Sequence, residues 1–388
     1  MSGSPLRLAF IGGAINSAVG YAHFVSSHMD GRFVLHAGAF SRNPDVNQAS
    51  GRAYGIDASR VFDDWRKVVD LAPGAVDAVV VLTPTPSHFD IVKTLLAAGL
   101  PVICEKALAA THDECHELTM RAQQFEGFLG ITFNYSGYAM VRELRNIIAR
   151  GELGEIHFIQ AEMPQEGFLK VRKSGDLVRP QDWRLRDGAV PTISLDLGVH
   201  LHHLVGFLTG GRSPKCVYAT SSSHGHFKDV IDNVNALVSY DGLSASYWFS
   251  KSAIGYRNGL SIRVFGSRGS ARWVQAEPER LELAGPTGAL TTIDMGSPDL
   301  AEASLPRYNR FKPGHPTGFI EAFANLYVDL ADTIAARKSG RRDYVNSFVF
   351  GPDHAAEGLA LLEAIAISSR TGQTQVVTAA SAPMMARA

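Results

Sequence analysis

The stretch Leu100-Pro-Val-Ile-Cys-Glu-Lys106 decides the fold, because it joins a short apolar strand to two charged residues at the strand's end. It follows a turn at Gly99, and its apolar residues favour a β-strand. In a doubly wound sheet the carboxyl ends of the strands border the ligand cleft, so Glu105 and Lys106 would lie there. A Glu-Lys pair by itself is more often a solvated charge pair. The neighbouring motifs must therefore distinguish the two interpretations.

A glycine-rich turn lies upstream, between a predicted strand (residues 6–11) and a predicted helix. It reads Gly12-Gly-Ala-Ile-Asn-Ser-Ala-Val-Gly20. Strand, small-residue turn and helix form a dinucleotide-binding unit, in which the pyrophosphate lies on the amides of the helix start. Two of the three fingerprint glycines are replaced here, so an ordinary tight turn is the alternative. We predict that the pyrophosphate is bound by Gly12, Gly13, Ala14, Ile15 and Asn16.

The second predicted strand, residues 33–40, is followed by Ser41 and Arg42 instead of an acidic residue. An NAD site usually places a carboxylate at this point to bind the ribose diol. The hydroxyl and the guanidinium could instead hold the 2′-phosphate of NADP, or the guanidinium could stack on adenine. Arg42 could also be an ordinary loop charge. We predict a nicotinamide dinucleotide cofactor, with NADP weakly favoured over NAD.

Asp196 and His200 stand four residues apart in an apolar-periodic segment, residues 195–207. In an α-helix this spacing places both side chains on one face. Hydride transfer from a secondary alcohol requires a group that takes the hydroxyl proton, and histidine, with a pKa of about 6.5, suits that task. We predict that His200 accepts the proton and that Asp196 orients the imidazole or a substrate hydroxyl. Lys106 would donate a hydrogen bond to the reacting oxygen.

Length and composition exclude several classes of protein. The 388 residues predict two domains, and 45% hydrophobic residues with a net charge of −1 describe a globular protein that binds neither nucleic acid nor membrane. No membrane span or signal peptide is expected. The three cysteines and the neighbouring His202 and His203 do not form a ligand set with metal spacing, so we predict no metal site. These features together predict a cytoplasmic protein that acts on a small-molecule substrate.

The second half of the chain shows strands that alternate apolar and polar residues, separated by hairpin turns. They predict antiparallel strands over residues 235–240, 244–249, 260–265 and 270–274. Residues 286–305 are predicted as a long loop and about the last ten residues as a loose tail. Two helices, residues 318–337 and 355–370, are expected to pack back against the first domain.

Taken together, Glu105-Lys106, the small-residue turn and Asp196 with His200 resemble the Gfo/Idh/MocA family of nicotinamide-dependent sugar and cyclitol oxidoreductases. The resemblance covers nearly the whole chain. It implies an α/β fold with a Rossmann-type doubly wound parallel sheet in residues 1–130. Residues 131–388 would form an α+β domain with a large open, mostly antiparallel sheet that binds substrate and pairs subunits. A homodimer or homotetramer is expected.

The resemblance also assigns individual residues. In the family the end of the third strand passes beneath the nicotinamide ribose, and the matching positions here are Thr83, Pro84 and His88. The family motif Glu-Lys-Pro matches Glu105 and Lys106 but has Ala107 in place of proline, so the 106–107 bond is either trans or a non-proline cis bond held by its surroundings. Tyr135 follows at a place where many family members bind the substrate. Apart from the resemblance, Trp183, Arg184 and His315 are substrate-binding candidates, with Asp196 and His200, because each lies at a loop or helix entrance; an ordinary surface charge is the alternative for Arg184.

Two functions of different classes remain. The resemblance implies an enzyme that interconverts a secondary hydroxyl and a ketone on a sugar, sugar derivative or cyclitol, with NAD(P)(H) as hydride carrier. Ala107 and the incomplete glycine fingerprint would also fit a non-catalytic, nucleotide-binding sensor or scaffold. Lys106, Asp196 and His200 together favour the enzyme, because a pure binder needs no acid–base set.

Overall fold

The protein is described by a computed structural model that covers residues 4–71 and 74–378, so the predicted tail lies outside the described residues. The chain divides into two compact units. The first comprises Met1–Ala109, Asp113–Tyr138 and Thr317–Ala355, and the second comprises Ala110–His112, Ala139–Pro316 and Ala356–Ala388. No helix in the described part of the chain is both long and apolar enough to cross a membrane.

The described strands form one sheet in each unit. In chain order they are β1 (Leu6–Gly12), β2 (Phe33–Ala39), β3 (Ala78–Leu82), β4 (Val102–Cys104), β5 (Leu129–Ile131), β6 (Ile156–Pro164), β7 (Cys216–Ser222), β8 (Asn233–Ser239), β9 (Ser244–Ser250), β10 (Ser261–Gly266), β11 (Ser270–Val274), β12 (Arg280–Ala284), β13 (Leu290–Asp294) and β14 (Gln375–Val376).

The described α-helices lie between these strands along the chain. They are α1 (Gly20–His28), α2 (Pro44–Ala53), α3 (Arg66–Val69), α4 (His88–Ala97), α5 (His112–Gln124), α6 (Ala139–Ala149), α7 (Val199–Leu208), α8 (Phe319–Lys338) and α9 (Pro352–Thr371). Helix α8 belongs to the first unit, whereas most of α9 belongs to the second.

The first unit contains a five-stranded parallel sheet in the order β2-β1-β3-β4-β5. The predicted Rossmann-type sheet is therefore confirmed. Strand β4 lies within the stretch Leu100–Lys106, and its Ile103 pairs with Val80 of β3 and Gly130 of β5. Helix α8 packs on this sheet so closely that a Cβ at Gly130 would lie 2.8 Å from Cδ2 of Leu330.

The second unit contains a nine-stranded sheet in the order β13-β12-β11-β10-β6-β9-β8-β7-β14. Its pairs are antiparallel except for β6 with β9, which run parallel, so the predicted large, mostly antiparallel sheet is also confirmed. Alternation along β8 buries Val234, Ala236 and Val238, while Leu237 on the opposite face is 60% exposed. One face of the sheet is therefore core and the other is open.

The prediction of an uninterrupted loop over residues 286–305 is wrong. Residues Leu290–Asp294 form strand β13, which pairs with β12. Its side chains are mostly exposed, so the strand lacks the alternation of buried apolar residues by which a half-buried strand is identified.

Candidate active site

The glycine-rich turn of the first unit leaves no room for side chains at two positions. A Cβ at Gly12, where φ is +81°, would lie 2.8 Å from the carbonyl carbon of Leu82 at the end of β3. A Cβ at Gly20, the first residue of α1, would lie 2.2 Å from the carbonyl oxygen of Gly13. Ile15 and Asn16 are exposed beside this close approach. The turn is thus a small-residue cradle at the strand ends, and it fits the predicted pyrophosphate site.

The turn after β2 is shaped by its own polar side chains. The buried Asn47 accepts hydrogen bonds through Oδ1 from the amides of Phe40 at 2.8 Å and Ser41 at 3.3 Å. The Ser41 hydroxyl oxygen in turn accepts from the amide of Asn43 at 3.1 Å. Arg42 is exposed on this turn. The backbone is therefore fixed, while the guanidinium remains accessible to a ligand.

His88 is fully buried and lies between two backbone carbonyls of the first unit. Its Nδ1 is 2.8 Å from the carbonyl oxygen of Ala107, and its Nε2 is 2.7 Å from that of Thr83. Burial lowers the pKa of His88, although both carbonyls favour the protonated ring. Both ring nitrogens face protein atoms. His88 thus connects the end of β3 with the residue that follows Lys106, and it shapes the site through the backbone.

The peptide bond between Lys106 and Ala107 is cis, which answers the alternative left open by the sequence. Glu105 is buried, whereas Lys106 is only partly buried. The pair therefore does not form two solvated surface charges. The strand end keeps the Glu105 carboxylate inside the first unit.

Asp196 in the second unit lies on a π-helical segment, Ser194–Gly198, which continues into α7. The sequence predicted one α-helix over residues 195–207, and this prediction is wrong for the first turn, which is π-helical. A π-turn closes its hydrogen bonds five residues apart instead of four. The four-residue spacing of Asp196 and His200 therefore no longer establishes a common face, and the argument from helical spacing does not hold here.

The Asp196 carboxylate is bound by two cations within the second unit. Arg184 approaches both oxygens, with Nε 3.3 Å from Oδ2 and Nη2 3.4 Å from Oδ1. The Lys251 ammonium forms an ion pair with Oδ2, and Lys251 is only 6% exposed. Taking up a proton would break both ion pairs. Asp196 is therefore suited to orient other groups rather than to transfer protons.

Lys251 was not found from the sequence, although a signal was present. Alternate residues of β9 face the core, namely Ala245, Tyr247 and Phe249, and Lys251 occupies the next position of this alternation. A lysine where the pattern requires an apolar side chain indicates a buried ion-pair partner.

The histidines of α7 are all buried. His200 is 4% exposed, and His202 and His203 are 1% exposed. Burial lowers the pKa of His203 far below its usual value, and the neighbouring His202 and His200 lower it further. His202 lies 3.5 Å from Glu357, measured between Nε2 and Oε1. His203 is therefore held neutral, unlike a histidine at the surface.

The other predicted substrate contacts fall into separate groups. Trp183 stacks under the guanidinium of Arg184 at 4.6 Å, so these two lie with Asp196 in the second unit. Tyr135, in the first unit, is buried against Tyr138, with ring centroids 6.3 Å apart. His315 is exposed in the second unit and meets Phe311 edge-on at 4.6 Å.

Models of known protein families match both halves of the chain. A family model described as an oxidoreductase family with an NAD-binding Rossmann fold matches residues 6–133, and the GFO/IDH/MocA C-terminal domain matches residues 141–272. An uncharacterized oxidoreductase of Bacillus subtilis is 29% identical over 96% of each chain. Inositol 2-dehydrogenase of Rhizobium meliloti is 26% identical over 78% of this chain and 84% of its own length.

Solved structures agree as well. An inositol dehydrogenase homologue from Azotobacter vinelandii, complexed with NADH and myo-inositol, has a TM-score of 0.87 and 28% identity. The match covers 96% of this chain and 98% of the homologue.

Proposed function

Because the chain belongs to the GFO/IDH/MocA family of NAD-binding oxidoreductases, we propose that it interconverts a secondary hydroxyl and a ketone on a sugar, sugar derivative or cyclitol. The observation that carries this proposal is the fixed Asp196 carboxylate on the segment that leads into the His200 helix. A protein that only binds nucleotide needs no such group. The inositol named for two of its relatives supports a cyclitol or related polyol as the substrate class.

The residues of the chain divide the proposed reaction between them. A bound nicotinamide supplies the hydride chemistry. The cradle at Gly12 and Gly13 would hold its pyrophosphate, since only glycine fits there. Lys106 would donate a hydrogen bond to the reacting oxygen, and His200 would take the hydroxyl proton during oxidation and return it during reduction. Asp196 would hold the substrate or the imidazole in place.

A panel of cyclitols and sugars, including myo-inositol and levoglucosan, tests this proposal. Each compound is offered with NAD⁺ and NADP⁺ in the presence of a metal chelator, and nicotinamide absorbance is followed. We expect turnover of at least one compound, unaffected by the chelator, because the proposed proton transfer uses Lys106 and His200 and no metal ion. Tight nucleotide binding without turnover of any compound would instead favour a sensor or scaffold.

For cofactor choice we propose a weak preference for NADP, supported by the exposed Arg42 on a fixed turn. Arg42→Ala should raise KM for NADP about tenfold and KM for NAD much less, because a charge-assisted hydrogen bond contributes roughly 1.5–3 kcal/mol. Arg52→Ala, which removes another exposed arginine of the first unit, is the control. Equal effects of Arg42→Ala on both cofactors would contradict the 2′-phosphate contact.

We also propose a homodimer or homotetramer formed through the open face of the second sheet. Large side chains are exposed there, with Tyr218 44% and Leu237 60% accessible. Leu237→Lys should shift the mass measured by light scattering towards the monomer, because it places a charge in an apolar contact. The control is Val345→Lys. Val345 belongs to the first unit and is 84% exposed, so this variant should leave the mass unchanged. A monomeric parent protein would refute the proposal.

The cytoplasm is the compartment we propose. The described cysteines, Cys104, Cys115 and Cys216, are all free, and the first two are buried. Free thiols agree with a reducing environment.

A further inference from the structure

A buried polar network lies behind Lys106 in the first unit. His23 on α1 places Nδ1 2.7 Å from the phenol oxygen of Tyr327 and Nε2 3.0 Å from Oε1 of Glu105. Thr132 donates its hydroxyl proton to the same Oε1. His23, Tyr327 and Thr132 are at most 1% exposed, and Glu105 is 7% exposed. The network connects α1, α8 and the residues that follow β4 and β5.

The hydrogen bonds assign the protons of this network. A Glu105 carboxylate can only accept, so His23 donates to it from Nε2, and a neutral imidazole then accepts the phenol proton of Tyr327 at Nδ1. Burial raises the pKa of Tyr327 well above its usual value, and the charge of Glu105 raises it further, so the phenol keeps its proton. Burial alone would raise the pKa of Glu105, but hydrogen bonds from His23 and Thr132 hold it below the ordinary value. In this arrangement Tyr327 donates to His23, and His23 and Thr132 both donate to the Glu105 carboxylate.

We propose that His23 is a positioning residue for Lys106 and that it acts through Glu105. The proposal rests on the role given to Lys106 in the proposed function. Because Glu105 and Lys106 are consecutive, anchoring the carboxylate inside the unit fixes the direction in which the lysine leaves the strand. His23 also lies on α1, directly after the glycine cradle.

The surroundings of His23 argue against a role in packing alone. Its ring meets Phe323 edge-on, with centroids 4.7 Å apart, and lies 5.8 Å from the ring of Tyr327. An apolar side chain would fill such a space without needing partners. A buried imidazole and a buried carboxylate are unfavourable unless their hydrogen bonds are satisfied. Here those bonds end on the residue directly before Lys106.

Substitutions of His23 can separate its two hydrogen bonds. In His23→Gln the amide nitrogen reaches the place of Nε2 and can still donate to Glu105. In His23→Asn the shorter amide reaches only the place of Nδ1, so the bond to Glu105 is lost. The two variants are matched in polarity. Tyr327→Phe removes only the far hydroxyl, and we expect a smaller effect from it.

The first test measures turnover of myo-inositol, or of whichever panel compound the parent enzyme oxidises. His23→Asn should lower kcat by about 10–100-fold, the range known for outer-shell partners of metal ligands, while the cofactor Kd stays unchanged. The deuterium isotope effect on kcat should rise, because hydride transfer becomes slower. His23→Gln should restore both values. When Lys106→Met is already present, adding His23→Asn should not lower kcat further. If it lowered kcat by the same factor as in the parent enzyme, the proposal would be overturned.

The second test needs no substrate. Acetic anhydride labels the amines of the free protein, and peptide mass spectrometry compares Lys106 with Lys67, an exposed lysine paired with Asp63. His23→Asn should change the labelling rate of Lys106 alone, and His23→Gln should change neither rate. Unchanged Lys106 labelling in a folded His23→Asn protein would overturn the positioning role. If the labelling pattern were as expected but the parent protein turned over no compound, only the proposed function would be refuted.

Discussion

His200→Ala is expected to lower kcat by roughly 10²–10⁴-fold, the range typical for loss of a general acid or base. The hydroxyl proton then loses its proposed acceptor. Cofactor binding, measured by fluorescence, should change little, because the glycine cradle belongs to the other unit. Lys106→Met should lower kcat similarly, since it removes the proposed donor to the reacting oxygen. His157→Ala, which removes an exposed histidine on β6, serves as the control and should retain the parent rate.

Melting temperatures of the same preparations separate catalysis from folding. Deleting a buried hydrogen-bond partner destabilises a protein by about 1–3 kcal/mol, so some loss of stability at the buried His200 is expected. Such a loss does not lower the turnover of the molecules that remain folded. Folded, cofactor-binding variants that turn over at the parent rate would remove His200 and Lys106 from the mechanism.

Lys251→Met is expected to reduce both stability and activity. It removes a buried cation that pairs with the Asp196 carboxylate, and removing one partner of a buried ion pair typically costs about 3–5 kcal/mol. Because Asp196 loses its fixed position, kcat/KM should fall as well. The measurements are urea denaturation and steady-state kinetics.

Arg184→Met is the matched comparison for Lys251→Met. It also removes one cation from Asp196, but the Arg184 side chain is 25% exposed and that of Lys251 is 8% exposed. Water can partly replace the more exposed cation, so Arg184→Met should destabilise the protein less. If Arg184→Met proved the more destabilising change, Lys251 would not be the principal anchor of Asp196.

Much of the fold could be predicted because its signals are local. The parallel sheet follows from short apolar strands that end at turns, and the hairpins of the second unit follow from alternation and turn residues. The π-helical segment at Ser194–Gly198 could not be predicted, since one wider turn leaves the apolar pattern unchanged. Strand β13 escaped detection because its side chains are mostly exposed.

The sequence suggests residue types for the candidate site but not the contacts between them. Asp196, Lys106 and the glycine turn all stand in recognisable motifs. The partner of Asp196, Lys251, lies 55 residues further along the chain, and no local pattern joins the two. The bond between His23 and Glu105 likewise joins residues 82 apart. Such pairs are fixed by tertiary structure alone.

The central place of β6 in the nine-stranded sheet has a consequence for synthesis on the ribosome. Strand β6 is made first among the strands of this sheet, yet its partners are β9 and β10. The 79 residues between Pro164 and Ser244 take roughly 4–16 s to translate, and during that time both edges of β6 have no partner. Unpaired edges invite aggregation. Glu162 and Pro164 near the end of β6 are a charged residue and a proline, the residue types that disfavour such pairing.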